Sequence, residues 1–165
     1  MPEGSVDWST FDREGYVRLG RLLDDACVRR LQDRIDSIML GGAEIDYDLL
    51  MMQLDPTSGD HGDLGEQTLG FKGASLAYRK IEGLERDVHF RALVQHPVAA
   101  AICQRIYGPG VPIATFRSML MNKPSGAGTP LAWHQDRWAW LDRDPLVTVY
   151  TALDAATEQS GCVHV

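Results

Sequence analysis

The most regular hydrophobic pattern in the chain lies between residues 26 and 40, where apolar residues recur every three or four positions. The residues that share this apolar stripe are Cys27, Val28, Leu31, Ile35, Ile38 and Met39. Arginines and aspartates lie mostly away from the stripe, so the spacing predicts an amphipathic helix with one buried face. Asp24 or Asp25 can cap its first turn, and the pair Gly41-Gly42 ends it.

The remaining helices and strands fall into two groups, with helices first and strands later. Further helices are predicted near Phe11, over 84–95, and from Pro97, which suits a first helical position, to residue 107. Residues 43–78 are less regular, and the Gly-, Asp- and Ser-rich stretch within them is predicted to be a long loop. Alternating or β-branched segments predict strands over 16–19, 111–121, 131–136 and 146–153. This order of elements favours the α+β class over alternating α/β.

Composition narrows the classes of function. The chain has 165 residues, is 44% hydrophobic and carries a formal net charge of −7, which argues for a globular domain and against a nucleic-acid binder. Its apolar runs fall far short of the roughly 18–20 residues of a membrane span, and it opens without a secretory signal pattern. The widely spaced Cys27, Cys103 and Cys162 predict neither a disulfide framework nor a cysteine zinc site, so a cytoplasmic location is expected.

The most informative motif for chemistry is Trp133-His134-Gln135-Asp136. His134 and Asp136 are two positions apart on a predicted strand, so an imidazole nitrogen and a carboxylate oxygen would lie side by side on one face. A second histidine from a distant strand would complete the 2-His-1-carboxylate triad that binds Fe(II) and leaves positions open for cosubstrate and oxygen. Such a three-residue pattern is weak alone, and a surface histidine paired with a neighbouring acid is the alternative.

The surroundings of this motif make the chain resemble the phytanoyl-CoA dioxygenase family of Fe(II)/2-oxoglutarate oxygenases. The resemblance is carried by MLMNKP (119–124), WHQD (133–136) and VTVYTALD (147–154), and upstream by FDREGYVRLGRLLDD (11–25), YRKIEGLERDVHF (78–90) and HPVAAAICQRIYGPG (96–110). These segments occur in order along nearly the whole chain, which is far more specific than one motif.

The resemblance implies a double-stranded β-helix, a cupin-like jelly roll whose mouth holds the iron, with N-terminal helices packed outside. One domain would span 1–165, with a helical region over 1–108 and the start of the jelly roll over 109–165. His134 and Asp136 match the family's first two iron ligands. The residues that match its 2-oxoglutarate contacts are Lys80, Met119, Gln135 and Tyr150, the last in place of the commoner tryptophan.

The implied activity is that of a dioxygenase that uses Fe(II), 2-oxoglutarate and O2 to hydroxylate an unactivated C–H bond of a small organic substrate. Trp138 and Trp140 follow His134 and Asp136 at even spacing, so on a continuous strand all four side chains would lie on the same face. The two tryptophans are therefore candidates for a wall of the substrate site. Arg117 shares parity with Met119, and a guanidinium facing the barrel interior would need an anion or an acidic partner.

One departure from the family pattern concerns the third ligand. The family's distal histidine and its 2-oxoglutarate-binding arginine lie downstream of the segment Gly161–Val165, so we expect the chain to be a fragment with a jelly roll incomplete at its C-terminus. These 165 residues are then expected to bind Fe(II) weakly and to show no coupled decarboxylation. The alternatives are a non-catalytic jelly-roll fragment or pseudoenzyme, and a cupin-type metal binder that uses His134, Asp136 and His164.

Overall fold

A computed structural model describes residues 6–126, 128–136, 141–142 and 146–165. The helices are α1 (Trp8–Glu14), α2 (Asp25–Met39), α3 (Val88–Val94) and α4 (Pro97–Tyr107). The strands are β1 (Met51–Leu54), β2 (Thr68–Leu69), β3 (Tyr78–Glu82) and β4 (Met119–Met121). They form an antiparallel sheet in the order β2-β1-β3-β4. Within these residues the helices are all too short or too polar to cross a lipid bilayer.

Helix α2 supplies one side of the hydrophobic core, as its periodicity predicts. The Asp24 carboxylate accepts a hydrogen bond from the backbone N–H of Cys27 at 2.6 Å and thereby caps the first turn. Its apolar stripe buries Leu31, Ile35, Ile38 and Met39. Helix α4 also begins and ends as predicted, with Pro97 in the first turn and Gly108 at its C-terminal cap.

The central sheet presents two chemically different faces. On one face Met52 pairs with Ile81 and Ile81 with Leu120 across β1, β3 and β4. These side chains join the core cluster that contains the buried stripe of α2, and Met52 and Ile81 are fully buried. Burying one such side chain contributes about 1.5–3 kcal/mol, so this row fixes the sheet on the helix.

The opposite face is built from alternate residues of the same strands. One cross-strand row is Gln53, Lys80 and Met121, and the next row is Met51, Glu82 and Met119. Because successive strand side chains point to opposite faces, the burial of the first face places these residues together on the second.

A β-bulge interrupts the pairing of β1 with β3. Gln53 pairs with Lys80 but Leu54 pairs with Tyr78, so Arg79 is the extra residue without a partner on β1. Asn122 holds this bulge from the other side. Its backbone N–H donates to the carbonyl of Arg79 at 2.8 Å, and its side-chain amide donates to the carbonyl of Tyr78 at 2.9 Å.

The mixed α+β class is confirmed, but several predicted strands are not. Residues 16–19, 131–136 and 146–153 form no strand, and the predicted strand 111–121 is reduced to β4. Conversely, 43–78 contains β1 and β2, and the region expected to be helical, up to residue 108, contains β1, β2 and β3 as well as the helices. Alternation marks a segment with one buried face, whereas a strand also needs a hydrogen-bonded neighbour, and β4 has none on its outer edge among the described residues.

Tyr78 anchors the loop before β3. Its fully buried hydroxyl donates to the carbonyl of Gly73 at 2.8 Å and accepts from the backbone N–H of Lys72 at 2.9 Å. Desolvation raises the pKa of Tyr78 against the lowering effect of the Lys72 hydrogen bond. The folded state therefore favours the neutral phenol, and this contribution to stability is full below about pH 10 and is lost as the pH rises further.

Replacing Tyr78 by Phe is expected to lower the free energy of unfolding at pH 7 by about 1–2 kcal/mol, since two buried hydrogen bonds are lost. The variant should also lose less stability than the wild type between about pH 9 and pH 11, because the titrating group is gone. Urea denaturation at pH 7, and again at about pH 9 and pH 11, measures the loss of stability and its dependence on pH. Tyr16→Phe, at an exposed tyrosine, is the control and should leave both values unchanged. An identical alkaline loss in Tyr78→Phe and wild type would contradict the assignment.

Candidate metal centre

His134 and Asp136 converge on one point although the segment that carries them is not a strand. The His134 Nε2 atom lies 3.5 Å from Asp136 Oδ1, and both side chains are about half exposed. His134 Nδ1 lies 2.8 Å from the carbonyl oxygen of Ala132, which can only accept a hydrogen bond. Nδ1 therefore donates to this carbonyl, which leaves Nε2 as the ring nitrogen that would bind a metal.

This donor pair fits a first-row divalent metal. Such ions hold imidazole nitrogen and carboxylate oxygen at about 2.0–2.2 Å, so two donor atoms 3.5 Å apart can bind the same ion. One imidazole and one carboxylate are also two members of the ligand set that non-haem Fe(II) prefers. His134 and Asp136 are thus the residues that would hold the metal.

A third ligand is not found in the described residues. Among them, no group of three or more His, Cys, Asp or Glu side chains is arranged to hold a metal ion. The alternative cupin-type set of His134, Asp136 and His164 is therefore not formed. His164 Nε2 lies instead 3.8 Å from the sulfur of Cys162.

The metal-ligand pair borders a cleft of about 600 Å³ over the second face of the sheet. Strands β1, β3 and β4 form its floor through Gln53, Arg79, Lys80, Met119 and Met121. Loop residues 61–67 form one wall, which includes His61, and Leu131, His134 and Asp136 form another. The cleft therefore brings the predicted ligands together with residues more than fifty positions earlier in the chain.

A three-membered ion cluster lies on the floor of this cleft. Lys80 Nζ and Arg117 Nη1 each lie 2.7 Å from the same oxygen, Oε1 of Glu82. Lys80 Nζ also donates to Oε1 of Gln67 at 3.0 Å. The side chains of the cluster are only 12–22% exposed, so water screens the pairs weakly. Glu82 is the acidic partner that Arg117 was expected to need.

The segment between Arg117 and Met119 is fixed by the turn that follows β3. The carbonyl of Ser118 accepts hydrogen bonds from the backbone N–H groups of Gly83 and Leu84, both at 3.2 Å. Gly83 has φ +91°, and a Cβ there would lie 2.9 Å from the carbonyl oxygen of Leu49, so only glycine fits. This turn holds the start of β4, and with it Arg117, against Glu82.

A buried carboxylate ties the metal-ligand segment to the sheet. Asp55, directly after β1, accepts hydrogen bonds from both the backbone N–H of Thr129, at 3.2 Å, and the Thr129 hydroxyl. Both residues are buried, whereas Leu131 and Trp133 further along the segment are exposed. Thr129 is five residues before His134, so this contact is the buried anchor of the segment.

The sequence-predicted site residues separate into three groups. His134, Asp136, Lys80 and Met119 line the cleft together. Gln135 and Tyr150 are exposed and are not among the lining residues, and their proposed contacts with 2-oxoglutarate stay predictions. Trp138 and Trp140 lie outside the described residues.

Sequence reasoning missed Glu82, Arg79 and the pair Asp55 and Thr129. Glu82 shares strand parity with Lys80, which could have placed it on the same face once β3 was recognised. No local sequence pattern predicts the position of Arg79, because a bulge depends on how two strands pair. The contact of Asp55 with Thr129 joins residues 74 positions apart and depends on the fold in the same way.

Comparison with models of protein families gives a match over most of the chain. The family model described as Phytanoyl-CoA dioxygenase (PhyH) matches residues 11–165. No curated protein and no solved structure matches the chain significantly.

Replacing Thr129 by Val is expected to lower the free energy of unfolding by about 1–3 kcal/mol, because Asp55 then stays buried with one donor fewer. It should also weaken Mn(II) binding, since the segment with His134 and Asp136 loses its anchor. Thr129→Ser, which keeps the hydroxyl, should retain both properties. Urea denaturation and Mn(II) titration measure them, with the exposed Thr148→Val as control. Unchanged stability and metal affinity in Thr129→Val would contradict the anchoring role.

Proposed function

Because the chain belongs to the phytanoyl-CoA dioxygenase family, we propose that it is an Fe(II)- and 2-oxoglutarate-dependent dioxygenase that hydroxylates an unactivated C–H bond of a small organic substrate. The observation that supports this most is the meeting of His134, Asp136 and Lys80 at one cleft. The cleft brings together the proposed metal ligands, His134 and Asp136, and the cation proposed to bind the cosubstrate, Lys80, which lies more than fifty positions earlier in the sequence.

The chain's own residues have distinct tasks in this proposal. His134, with its proton held on Nδ1 by the carbonyl of Ala132, presents Nε2 to the metal, and Asp136 supplies a carboxylate that offsets the metal's charge. Fe(II), when bound, supplies the redox chemistry that activates O2 as 2-oxoglutarate is decarboxylated. Lys80 donates hydrogen bonds to a carboxylate of 2-oxoglutarate, and Met119 packs against its carbon chain.

The residues around His134 and Asp136 support the proposal that this site is ordered before its ligands bind. The cluster of Lys80, Glu82 and Arg117 holds each cation in place, so little side-chain entropy remains to be lost on binding. The apolar side chains of Leu64, Met119, Met121 and Leu131 line the cleft and offer an apolar contact surface to the carbon chain of a bound molecule.

We further propose that the antiparallel sheet belongs to a double-stranded β-helix of the jelly-roll type, in one domain over 1–165. The mixed architecture and the family match support this proposal. The primary substrate is proposed to be a small molecule, since the cleft of about 600 Å³ has the size of a small-ligand pocket.

A second candidate is a non-catalytic binding module of the same family. It is favoured by one observation, that no third metal-binding side chain joins His134 and Asp136 within the described residues. The two candidates differ in one measurement, the 2-oxoglutarate-dependent formation of succinate in the presence of Fe(II) and O2. A binding module would bind 2-oxoglutarate without consuming it.

In a form of the protein that turns over 2-oxoglutarate, replacing Asp136 by Ala is expected to abolish this turnover. In any form it is expected to weaken Mn(II) binding by more than about tenfold, because the metal loses a ligand and the charge that offsets its own. Succinate formation and Mn(II) titration measure the two effects. Asp33→Ala, at an exposed carboxylate of α2, is the control and should behave like the wild type. Turnover retained in Asp136→Ala would rule out the metal assignment.

Replacing Lys80 by Ala is expected to raise the dissociation constant of 2-oxoglutarate from the Mn(II) complex by about tenfold or more, while the Mn(II) dissociation constant changes less than about twofold. The split arises because Lys80 faces the cosubstrate rather than the metal in this proposal. Lys72→Ala removes an exposed lysine outside the cleft and should change neither value. An equal loss of metal and 2-oxoglutarate binding in Lys80→Ala would assign Lys80 a structural role instead.

A further inference from the structure

Arg79 is a buried arginine whose guanidinium has no partner among the described residues. It is only 5% exposed, yet no hydrogen bond or ion pair joins its side chain to another described residue. By contrast Arg34, also shielded from solvent, is paired with buried Asp87 at 2.7 Å. Buried arginines are ordinarily paired, because desolvating an unpaired cation is costly.

The unpartnered guanidinium belongs to a residue that lines the cleft. Arg79 is one of the residues that line it. Among the described residues, Gln53 Oε1 is the only fully enclosed side-chain polar atom without a partner, so the Arg79 nitrogens keep access to the cleft. A ligand in the cleft can therefore reach them.

The β-bulge is what brings Arg79 to this place. Arg79 is the unpaired residue of the bulge between β1 and β3, and adjacent Lys80 lines the same cleft. Consecutive residues of a regular strand would point to opposite faces, whereas a bulge re-aims one of them. Asn122 stabilises the bulge through hydrogen bonds to the carbonyls of Arg79 and Tyr78.

Among the described residues that line the cleft, no acidic side chain is paired with Arg79. Glu82 is already shared by Lys80 and Arg117, and Asp136 is the proposed metal ligand. A divalent metal would add two positive charges, and the 2-oxoglutarate dianion would remove two. The described charged residues that line the cleft, Arg79, Lys80, Arg117 and Asp136, together with Glu82, thus carry a net positive charge, which favours a further acidic group on a bound molecule.

We propose that Arg79 binds a carboxylate of an organic acid held in the cleft. A guanidinium presents paired N–H donors whose geometry matches the two oxygens of a carboxylate. The carboxylate has two possible sources, the far end of 2-oxoglutarate and an acidic group of the primary substrate. The inference rests on the proposed function in taking this cleft as the site of both ligands.

The affinity test uses the purified chain under anaerobic conditions with Mn(II) as a redox-inert metal, and compares wild type with Arg79→Met. The first pair of probes is 2-oxoglutarate and 2-oxopentanoate, which has the same carbon chain without the second carboxylate. The second pair is hexanoate and hexan-1-ol, titrated onto the manganese and 2-oxoglutarate complex. Arg30→Met, at an exposed arginine of α2, is the control for the loss of one positive charge.

Two results would support the proposal and identify the source of the carboxylate. A loss of about 10- to 100-fold in affinity for 2-oxoglutarate, with 2-oxopentanoate unchanged, assigns Arg79 to the cosubstrate. A similar loss for hexanoate alone assigns it to the primary substrate. Unchanged affinity for both acids in Arg79→Met would overturn the proposal.

A stability measurement separates this role from a structural one. Arg79→Met is expected to keep or raise the Tm of the ligand-free protein, because it removes an uncompensated buried charge, whereas Arg34→Met should lower it. A fall in Tm with Arg79→Met as large as that with Arg34→Met would overturn the proposal.

Failure of the proposed function would give a different result in the same titrations. In that case wild type would bind neither Mn(II) nor 2-oxoglutarate, and the hexanoate titration would be made on the metal-free chain. Hexanoate binding that Arg79→Met removes would still support the carboxylate site, and no difference between the two chains would overturn it.

Discussion

The pairing of β3 with both β1 and β4 is the constraint on which the rest of the structure depends. It aligns Met52, Ile81 and Leu120 on the face packed against α2, and their burial fixes the register. A slip of one residue would move Lys80 and Glu82 into the apolar core. The same contacts that bury one face therefore determine which side chains line the cleft on the other.

On the cleft face the dominant interaction is electrostatic, and one carboxylate organises it. Glu82 Oε1 holds both Lys80 and Arg117 at 2.7 Å, so neither cation is left without an acidic partner in a poorly hydrated site. The cluster also bridges β3 to the residue that precedes Ser118, whose carbonyl accepts from the turn after β3. Fold and charge arrangement thus depend on the same short stretch, Glu82–Leu84.

The helices were predictable from the sequence because each carries its own signals. The apolar stripe and Asp24 of α2, like Pro97 of α4, are local features that determine local structure. Of the site, the proximity of His134 and Asp136 was predicted from their spacing on a strand and is observed although the segment forms no strand. Their association with Lys80 and Met119 was implied only by the family resemblance. The strands were poorly predicted, since β1 lies within a stretch without clear alternation and 131–136 has alternation without a strand neighbour. Pairing partners and the bulge at Arg79 are properties of the assembled sheet.

The cleft contains polar groups that a purely stable core would exclude. Gln53 donates to the carbonyl of Gly65 at 2.5 Å but leaves Oε1 enclosed without a partner among the described residues, and Arg79 lines the same cleft without an acid. Burying a polar group without a partner opposes folding, because the hydration that it loses is not replaced by contacts within the protein. The apolar row on the other face, together with the buried stripe of α2, contributes the stability that offsets the cost of these polar groups. A sheet with one face devoted to packing and the other to unpartnered polar groups suits a ligand-binding site, since a bound molecule can complete those contacts.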